Sequence, residues 1–500
     1  MAVEGRHVKR ASPRRKDDVV KDTTSSATTS TKEVDAAATA MDFDDDGSDD
    51  DAGVGKVRVK FVTKIPSIRV TETPVAVPET LQRYGLSEVV NHLLGRDPPT
   101  PFDMLVMGRF LRSSLRAVMR RHALSGEALL EVEYMPALRQ PTEAEHAEQP
   151  DWVSAVAGYG RGLDTFVTGG YDGCLRVYGP GCKEVSTAKA HQSPVTALCA
   201  VPAPGGENAA GFLSGSKDMT ARLWRIGKNG LGRNASLEAA AVLRDHSNSL
   251  SAVYASDSMA YTGDWDGHVC MWDVSSLGGS NAGSSGDSAK ATKRRKTGND
   301  EAEAVALLEP PPVARFRGHA QAVTGLAGPT GGHQQSATLL YSASLDRAVK
   351  TWDTERRDCV RTLNAPKAIT CLGCSSSGWM LATGHPDARV RIWDTRDKGV
   401  SLTRASLSSH VQWIASVAWA PGSETMVLSC SHDGAVKLWD IRSTLPLHSA
   451  RAHEGKALCC GWQDERIISG GSDGAVKTFV VPTENSSSSS SGGNENDDHA

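Results

Sequence analysis

The chain has 500 residues, is 39% hydrophobic and 23% charged, and carries a formal charge of −4 and ten cysteines. Low apolar content with polar ends predicts a folded part shorter than the chain, and the near-balanced charge assigns no partner by itself. No apolar run approaches the ~20 residues of a membrane span. The N-terminus "MAVEGRHVKR" lacks an apolar signal core and the cysteines lack framework spacing, so membrane insertion, secretion and a disulfide scaffold are disfavoured and a reducing intracellular compartment is expected.

Residues 1–54 read as a disordered tail: a basic arm with Arg6, Lys9, Arg10, Arg14, Arg15 and Lys16, then seven aspartates between Asp42 and Asp51. From residue 55 the pattern changes. "KVRVKFVT" (56–63) alternates as a strand should, and a second strand is predicted around "SIRVT". Leu86, Val89, Val90, Leu93 and Leu94 fall on one helical face, which Gly95 ends. The strand "DMLVM", a turn at Gly108 and a short helix from about Ser114 follow, then a strand over 129–134 with Leu130, Val132 and Tyr134 inward. This ββαβαβ order over residues 55–136 suits an α+β ubiquitin-like roll, with 137–150 left as a linker.

From residue 169 one short pattern recurs: "GGYDGCLRVY", "SGSKDMTARLW", "TGDWDGHVCMWD", "SASLDRAVKTWD", "TGHPDARVRIWD", "SCSHDGAVKLWD" and "SGGSDGAVKTF". Each reads as a strand, a tight turn at an aspartate, and a second strand ending in a large side chain. The turn aspartates are Asp172, Asp218, Asp266, Asp346, Asp387, Asp433 and Asp473. Their spacing is 40 to 48 except for 80 between Asp266 and Asp346, where a Ser/Gly-rich, charged insert of about 276–310 intervenes. Histidines precede most units (His191, His246, His319, His410, His453), and Trp-Asp closes four of them. These features resemble the WD40 repeat, a four-stranded propeller blade, and seven aspartates imply an all-β seven-bladed propeller over 151–482, followed by a disordered Ser-rich tail, 483–500. In that family the histidine and turn aspartate hydrogen-bond within a blade. Blade five, with "LNAPKAITCL", has no histidine there, so its tie is expected to be missing. Few residues remain after Phe479, which makes the chain just before Trp152 a candidate for a missing outer strand that closes the ring.

The wording of the first unit is more specific than its fold. "LQRYGLSEVVNHLL" (81–94), "PFDMLVMGRFLRSSL" (101–115), "LSGEALLEVEY" (124–134) and "DWVSAV" (151–156) resemble the WD-repeat subunit family of the pescadillo and block-of-proliferation complex, which matures the large (60S) ribosomal subunit and its pre-rRNA. The resemblance implies a non-enzymatic assembly factor of the nucleus, nucleolus and nucleoplasm. Its partners would be pescadillo and block-of-proliferation homologues, the pre-60S particle, and midasin, a very large AAA ATPase. In this family and the related Notchless family, a glutamate just before the last strand of the small domain completes the coordination of a Mg²⁺ held by midasin's adhesion site; here that position is Glu127. Mg²⁺ takes six oxygens in tight octahedral order, so an exposed carboxylate fits one open position in trans. No cofactor of the chain's own is implied.

Arg112, Arg116 and Arg120 recur every four residues, opposite Leu115, Val118 and Met119. They form either a solvated face or an electrostatic patch for the acidic surround of the midasin site or for ribosomal RNA. Direct RNA contact stays open. Lys293, Arg294, Arg295 and Lys296 in the insert, with "KRASPRRK" (9–16), suit recognition by a nuclear import receptor or plain solvation. The acidic stretch suits basic ribosomal proteins, a mask for the basic arm, or a solubilising linker. Cys371 and Cys374 form an isolated CxxC without a second pair at zinc spacing. No nucleophile elbow or P-loop occurs. Two other readings are a Notchless-like factor, whose family resembles an eight-bladed propeller, and a WD40 substrate receptor of a ubiquitin ligase, for which no sequence element speaks.

Overall fold

The computed structural model describes residues 55–125, 129–160, 164–203, 209–226, 236–256, 258–275, 307–329, 338–397 and 403–481. The basic arm, the acidic stretch, the Lys293–Lys296 cluster and the Ser-rich tail lie outside them. No helix among the described residues is long and apolar enough to cross a membrane.

The small domain runs β1 (Lys56–Val62), a 3-10 turn (Pro66–Ile68), β2 (Val75–Pro78), α1 (Arg83–Leu94), β3 (Phe102–Val106), β4 (Arg109–Phe110), α2 (Leu115–Arg121) and β5 (Leu129–Pro136). Its mixed sheet has the order β2-β1-β5-β3-β4, with β1 and β5 parallel. Alternation puts Val57, Val59 and Phe61 of β1 and Leu130, Val132 and Tyr134 of β5 into one core, covered by Leu86 and Val90 of α1 and Leu115 and Met119 of α2. Gly95 adopts φ 63°, and its N–H returns to the His92 carbonyl, so the helix stops where its apolar stripe stops.

The strand expected around "SIRVT" is not a strand. Pro66 starts a 3-10 turn, and the partner of β1 is instead "VAVP", Val75–Pro78. Ile68 and Val70 still alternate into the core, but their backbone is satisfied by a side chain: the Tyr134 hydroxyl donates to the Ile68 carbonyl and accepts from the Val70 N–H at 3.0 Å. Burial pattern and ladder pairing have separated here, and only the first is visible in sequence.

Seven four-stranded antiparallel sheets follow, covering 153–189, 195–244, 250–317, 323–364, 371–408, 414–451 and 457–480. The seventh supplies only three strands of its own. Its outer strand is β6 (Thr142–Glu148), paired antiparallel with Ala475–Val480 from Glu148↔Ala475 to Thr142↔Val480. The insert does not separate two blades but lies within blade three, between its third strand (His268–Asp273) and its outer strand (Ala314–Arg317), and its end is anchored on the neighbouring blade: Leu308 bridges Ala241 on the outer strand of blade two, and Glu309 pairs with Arg244 at 3.2 Å. Residues 307–310 therefore belong with the blade surface.

Each blade is pinned by a buried polar chain. In blade two the indole N–H of Trp224 donates to Ser214 Oγ (2.9 Å), which meets His191 Nε2 (2.8 Å), while His191 Nδ1 meets Asp218 (3.0 Å). Blades four and six repeat it with Trp352, Ser342, His319, Asp346 and with Trp439, Ser429, His410, Asp433. Blade seven keeps Ser469, His453 and Asp473. Buried polar groups need such partners, and a fully satisfied chain fixes the turn to the sheet.

Three blades depart. In blade three His246 pairs with Asp264 at 2.7 Å, not with Asp266; the latter sits at the turn and accepts from Ser247 and Asn248. In blade one Asp172 pairs with Arg176, and Gln149 stands where a histidine would, donating to Thr168 Oγ1 at 2.7 Å. The tie expected to be missing from blade five is made by another route. His385, on the turn itself, reaches Thr383 Oγ1 (2.9 Å) and donates to the Ala368 carbonyl (2.9 Å), while Asp387 turns to Arg391. The histidine comes from the opposite side of the same polar niche, which is why the entering loop shows none.

Burial holds the His385 imidazole down at about 4, with Arg391 adding repulsion. The unfolded chain therefore takes up this proton first as pH falls, and stability drops between the ordinary histidine range near 6.5 and about 4. The urea midpoint is expected to fall from pH 7 to 4.5. In His385→Gln the fall should be shallower by roughly 2 to 3 kcal/mol of unfolding free energy. Equal slopes in the two proteins would show that His385 is not held neutral.

Candidate docking sites

Glu127 lies outside the described residues, which stop at Ser125 and resume at Leu129, the first residue of β5. The three arginines do not form one stripe. α2 begins at Leu115 with Ser114 as its N-cap, whose Oγ accepts from the Ala117 N–H at 3.3 Å, so Arg112 precedes the helix. Arg116 is engaged by Glu79 at 3.3 Å, and its backbone N–H donates to the Glu79 carbonyl at 2.8 Å. Arg120 is exposed at the end of the helix beside Arg121.

Arg112 belongs to a junction between the small domain and blade six. Its guanidinium lies 5.2 Å from the centroid of Phe110, and that of Arg442, from the hairpin turn of blade six, lies 5.3 Å from the same ring. Such cation–π contacts contribute roughly 0.5 to 2 kcal/mol each, depending on desolvation. The Phe110 N–H donates to the Arg442 carbonyl at 3.4 Å, and Arg442 Nη2 donates to Met135 Sδ at 3.6 Å. Asp440 aims the Arg442 side chain with two hydrogen bonds, of 2.9 and 2.6 Å. Nearby, Asp103 is buried and its carboxyl is pushed up by that burial, with Arg83 at 2.6 Å opposing. His448 Nε2 donates to the Leu138 carbonyl at 3.0 Å, so the linker as well as the small domain touches blade six.

On the propeller, the turns that carry the aspartates and the loops that enter the inner strands share one face. The pairing is explicit: the Tyr171, Trp265 and His432 N–H groups donate to the Trp152, Ser249 and Trp413 carbonyls. Trp152, Trp265 and Trp413 are 43%, 54% and 55% exposed, and they are the only tryptophans in that state among the described residues. Trp152 rests on Tyr171 (centroids 5.2 Å), whose ring also receives Lys217 at 5.1 Å, and Trp413 stacks on His432 at 6.2 Å. Exposed tryptophans on a rigid rim are the anchors that protein interfaces favour.

Asp264, Asp266 and His268 place ligand atoms within 4.8 Å of one another. Asp264 is already saturated by His246 and by the N–H groups of Asp266 and His268, so the group works as a turn clasp. In the CxxC, burial pushes the Cys371 thiol up to about 12 and the Cys374 thiol up as well, away from the thiolate that metal binding needs.

The NLE (NUC135) domain family matches residues 57–119, and the WD domain, G-beta repeat family matches 182–225, 238–273, 310–353, 357–394 and 402–440. The chain is 35% identical over 449 residues to a ribosome biogenesis protein WDR12 homolog of Chlamydomonas reinhardtii, covering 85% of this chain and 97% of that one. A WDR12 homolog of Oryza sativa subsp. japonica is 33% identical, with 84% and 95% covered. The ribosome biogenesis protein YTM1 of Eremothecium gossypii is 29% identical, with 84% and 96% covered.

The exposed tryptophans bury too little to hold the fold. Trp413→Ala and Trp265→Ala are expected to unfold in urea within about 0.5 kcal/mol of the parent, whereas the fully buried Trp439→Ala should lose about 3 to 5 kcal/mol. A large loss for Trp413→Ala would make it a structural residue.

Proposed function

The chain belongs to the WDR12/YTM1 family of ribosome biogenesis proteins, and from that membership we propose that it is a non-enzymatic assembly factor of the large ribosomal subunit, carried in the pescadillo and block-of-proliferation complex and removed by midasin. The observation that carries this reading is kinship along both parts of the chain at once, the small domain and the propeller.

The division of labour follows from the two architectures. The propeller is a rigid multi-sided platform that anchors the protein to its complex through the block-of-proliferation homologue. The face bearing Trp152, Trp265 and Trp413 supports a protein-binding role, because those rings are exposed on fixed turns. The small domain offers the Glu127 carboxylate to the Mg²⁺ of the midasin adhesion site, where one more oxygen completes an octahedron. A single carboxylate on a partner's metal makes a bond that holds while the metal site is open and lets go when it rearranges. ATP hydrolysis in midasin then pulls the subcomplex from the pre-60S particle. The work takes place in the nucleolus and nucleoplasm, and the basic clusters at 9–16 and Lys293–Lys296 serve import.

The test is capture of the full-length protein by the purified midasin adhesion domain. With Mg²⁺ the parent should bind. Glu127→Ala and Glu127→Asp, one methylene shorter, should each lose at least about tenfold in affinity at unchanged melting temperature, since metal-ligand geometry tolerates little displacement; EDTA should abolish the parent's binding. Parent-like binding by Glu127→Ala would remove Glu127 from the interface and leave the exposed Arg120 as the next residue to change.

A further inference from the structure

The strand that closes the propeller is the strand tied to the small domain. β5 ends at Pro136 and β6 begins at Thr142, so the small domain hangs from the ring's closing strand by residues 137–141. Any load on the small domain has two routes into the propeller. One passes through the dock on blade six, where Phe110 sits between Arg112 and Arg442 and Met135 meets Arg442. The other passes through the linker into Thr142.

The two routes differ in strength. β6 is largely exposed on its outer side, and its hold on the ring is the backbone ladder with Ala475–Val480, helped by Glu143 to Lys477 (3.3 Å) and Glu145 to Arg466 (3.6 Å). A pull at Thr142 loads the Val480 pair first, then each next pair in turn, so the ladder opens one bond at a time. The seam that β6 guards lacks the hydroxyl latch that most of the inner seams carry. From blade one to blade five a hydroxyl on each innermost strand donates to a carbonyl of the next blade: Ser154 to Val195, Thr196 to Leu250, Ser251 to Val323, Thr324 to Ile369 and Thr370 to Ile414. Ala415 of blade six and Leu458 of blade seven stand in the equivalent stretch of the channel wall and carry no hydroxyl; blade seven reaches blade one instead through the Cys459 thiol to the Val153 carbonyl (3.6 Å), the Gln463 side chain accepting from the Tyr159 N–H (2.9 Å) and Arg466 donating to Asp164 (3.0 Å).

We propose that the dock of the small domain on blade six is a load-bearing clutch, which sends traction into blade six and keeps it off the ring-closing strand until the dock breaks. The biological use of this device rests on the traction reading above, but the device itself is a property of this chain. While Phe110 stays clamped, and Leu138 of the linker stays on His448, no load reaches Thr142 and the ring stays shut. Once the clamp opens, the linker tightens and β6 peels as far as Gln149, whose N–H donates to the Gly474 carbonyl and whose side chain is buried against Thr168 and Arg176. Sustained pulling thus first undocks the small domain and then opens the ring at one defined seam.

Optical tweezers test this on the full chain, with click-reactive handles at the positions of Arg121, on α2, and Arg356, on blade four. Peeling 142–149 releases roughly 3 nm of chain. In the parent this step should appear only after an undocking event. In Phe110→Ala, and in Arg442→Ala, the undocking event should vanish and the roughly 3 nm step should come at less than about half the parent's force. Adding Glu145→Cys with Thr478→Cys, cross-strand neighbours in the ladder, should abolish the step once the disulfide forms and restore it on reduction. A first step at the parent's force in both dock variants would overturn the clutch, as would a step that survives the crosslink. Because the handles replace midasin, this outcome is independent of whether Glu127 binds metal.

Discussion

A propeller is stable only as a closed ring, and here closure rests on the ladder between β6 and Ala475–Val480. Every blade buries one face against the next. The innermost core of one sheet, for example Ala252, Val269 and Phe316 of blade three, is completed by side chains of its neighbour such as Val323 and Trp352. Such quasi-repeating structures share stability between neighbours, so an unclosed seam exposes two blade faces at once. Closing with a strand from before the first blade puts both ends of the repeat array into one hydrogen-bonded sheet.

The polar chains of Trp, Ser or Thr, His and Asp do a second job. Packing makes neighbouring blades adhere, and the chains make each turn rigid, so that side chains on the aspartate-bearing face stand at fixed positions. The exposed rings of Trp265 and Trp413 are carried on backbone that the buried histidines and carboxylates hold. The ubiquitin-like domain reaches similar rigidity through Tyr134, which is fully buried in the core, edge-on to Phe61 and Phe102, and ties the Ile68–Val70 segment by its hydroxyl. Both parts of the chain therefore display short loops from stiff frames.

What sequence shows is what recurs locally. The aspartate turns, the strands around them and the two small-domain helices are each written in a dozen residues, and seven blades follow by counting. Relations that depend on which of several equal residues wins do not show. "GDWDG" offers Asp264 and Asp266 with the same spacing freedom, and only the depth of the niche selects Asp264. His385 occupies the niche of blade five from the turn side, where a search of the entering loop cannot find it. Arg112 looked like the first of a helical series because periodicity ignores where a helix starts; Ser114 caps the helix after it. The dock on blade six is the extreme case. Phe110 and Arg442 are both unremarkable in their own segments, and their meeting is created by the ring itself. Glu127 stands apart from all of these, since its role comes from resemblance and not from anything in its local pattern.

The order of strands along the chain has a consequence for synthesis. β6 leaves the ribosome before any blade, and its partner strand leaves after all seven blades have been started. At roughly 5 to 20 residues per second, that separation is on the order of tens of seconds during which β6 is an unpaired edge. Open edges recruit other strands, and proteins guard them with charge. β6 is "TEAEHAE", with Glu143, Glu145 and Glu148 in seven residues. The same acidic residues that make it a weakly buried closure keep it from pairing wrongly while the ring is still being made.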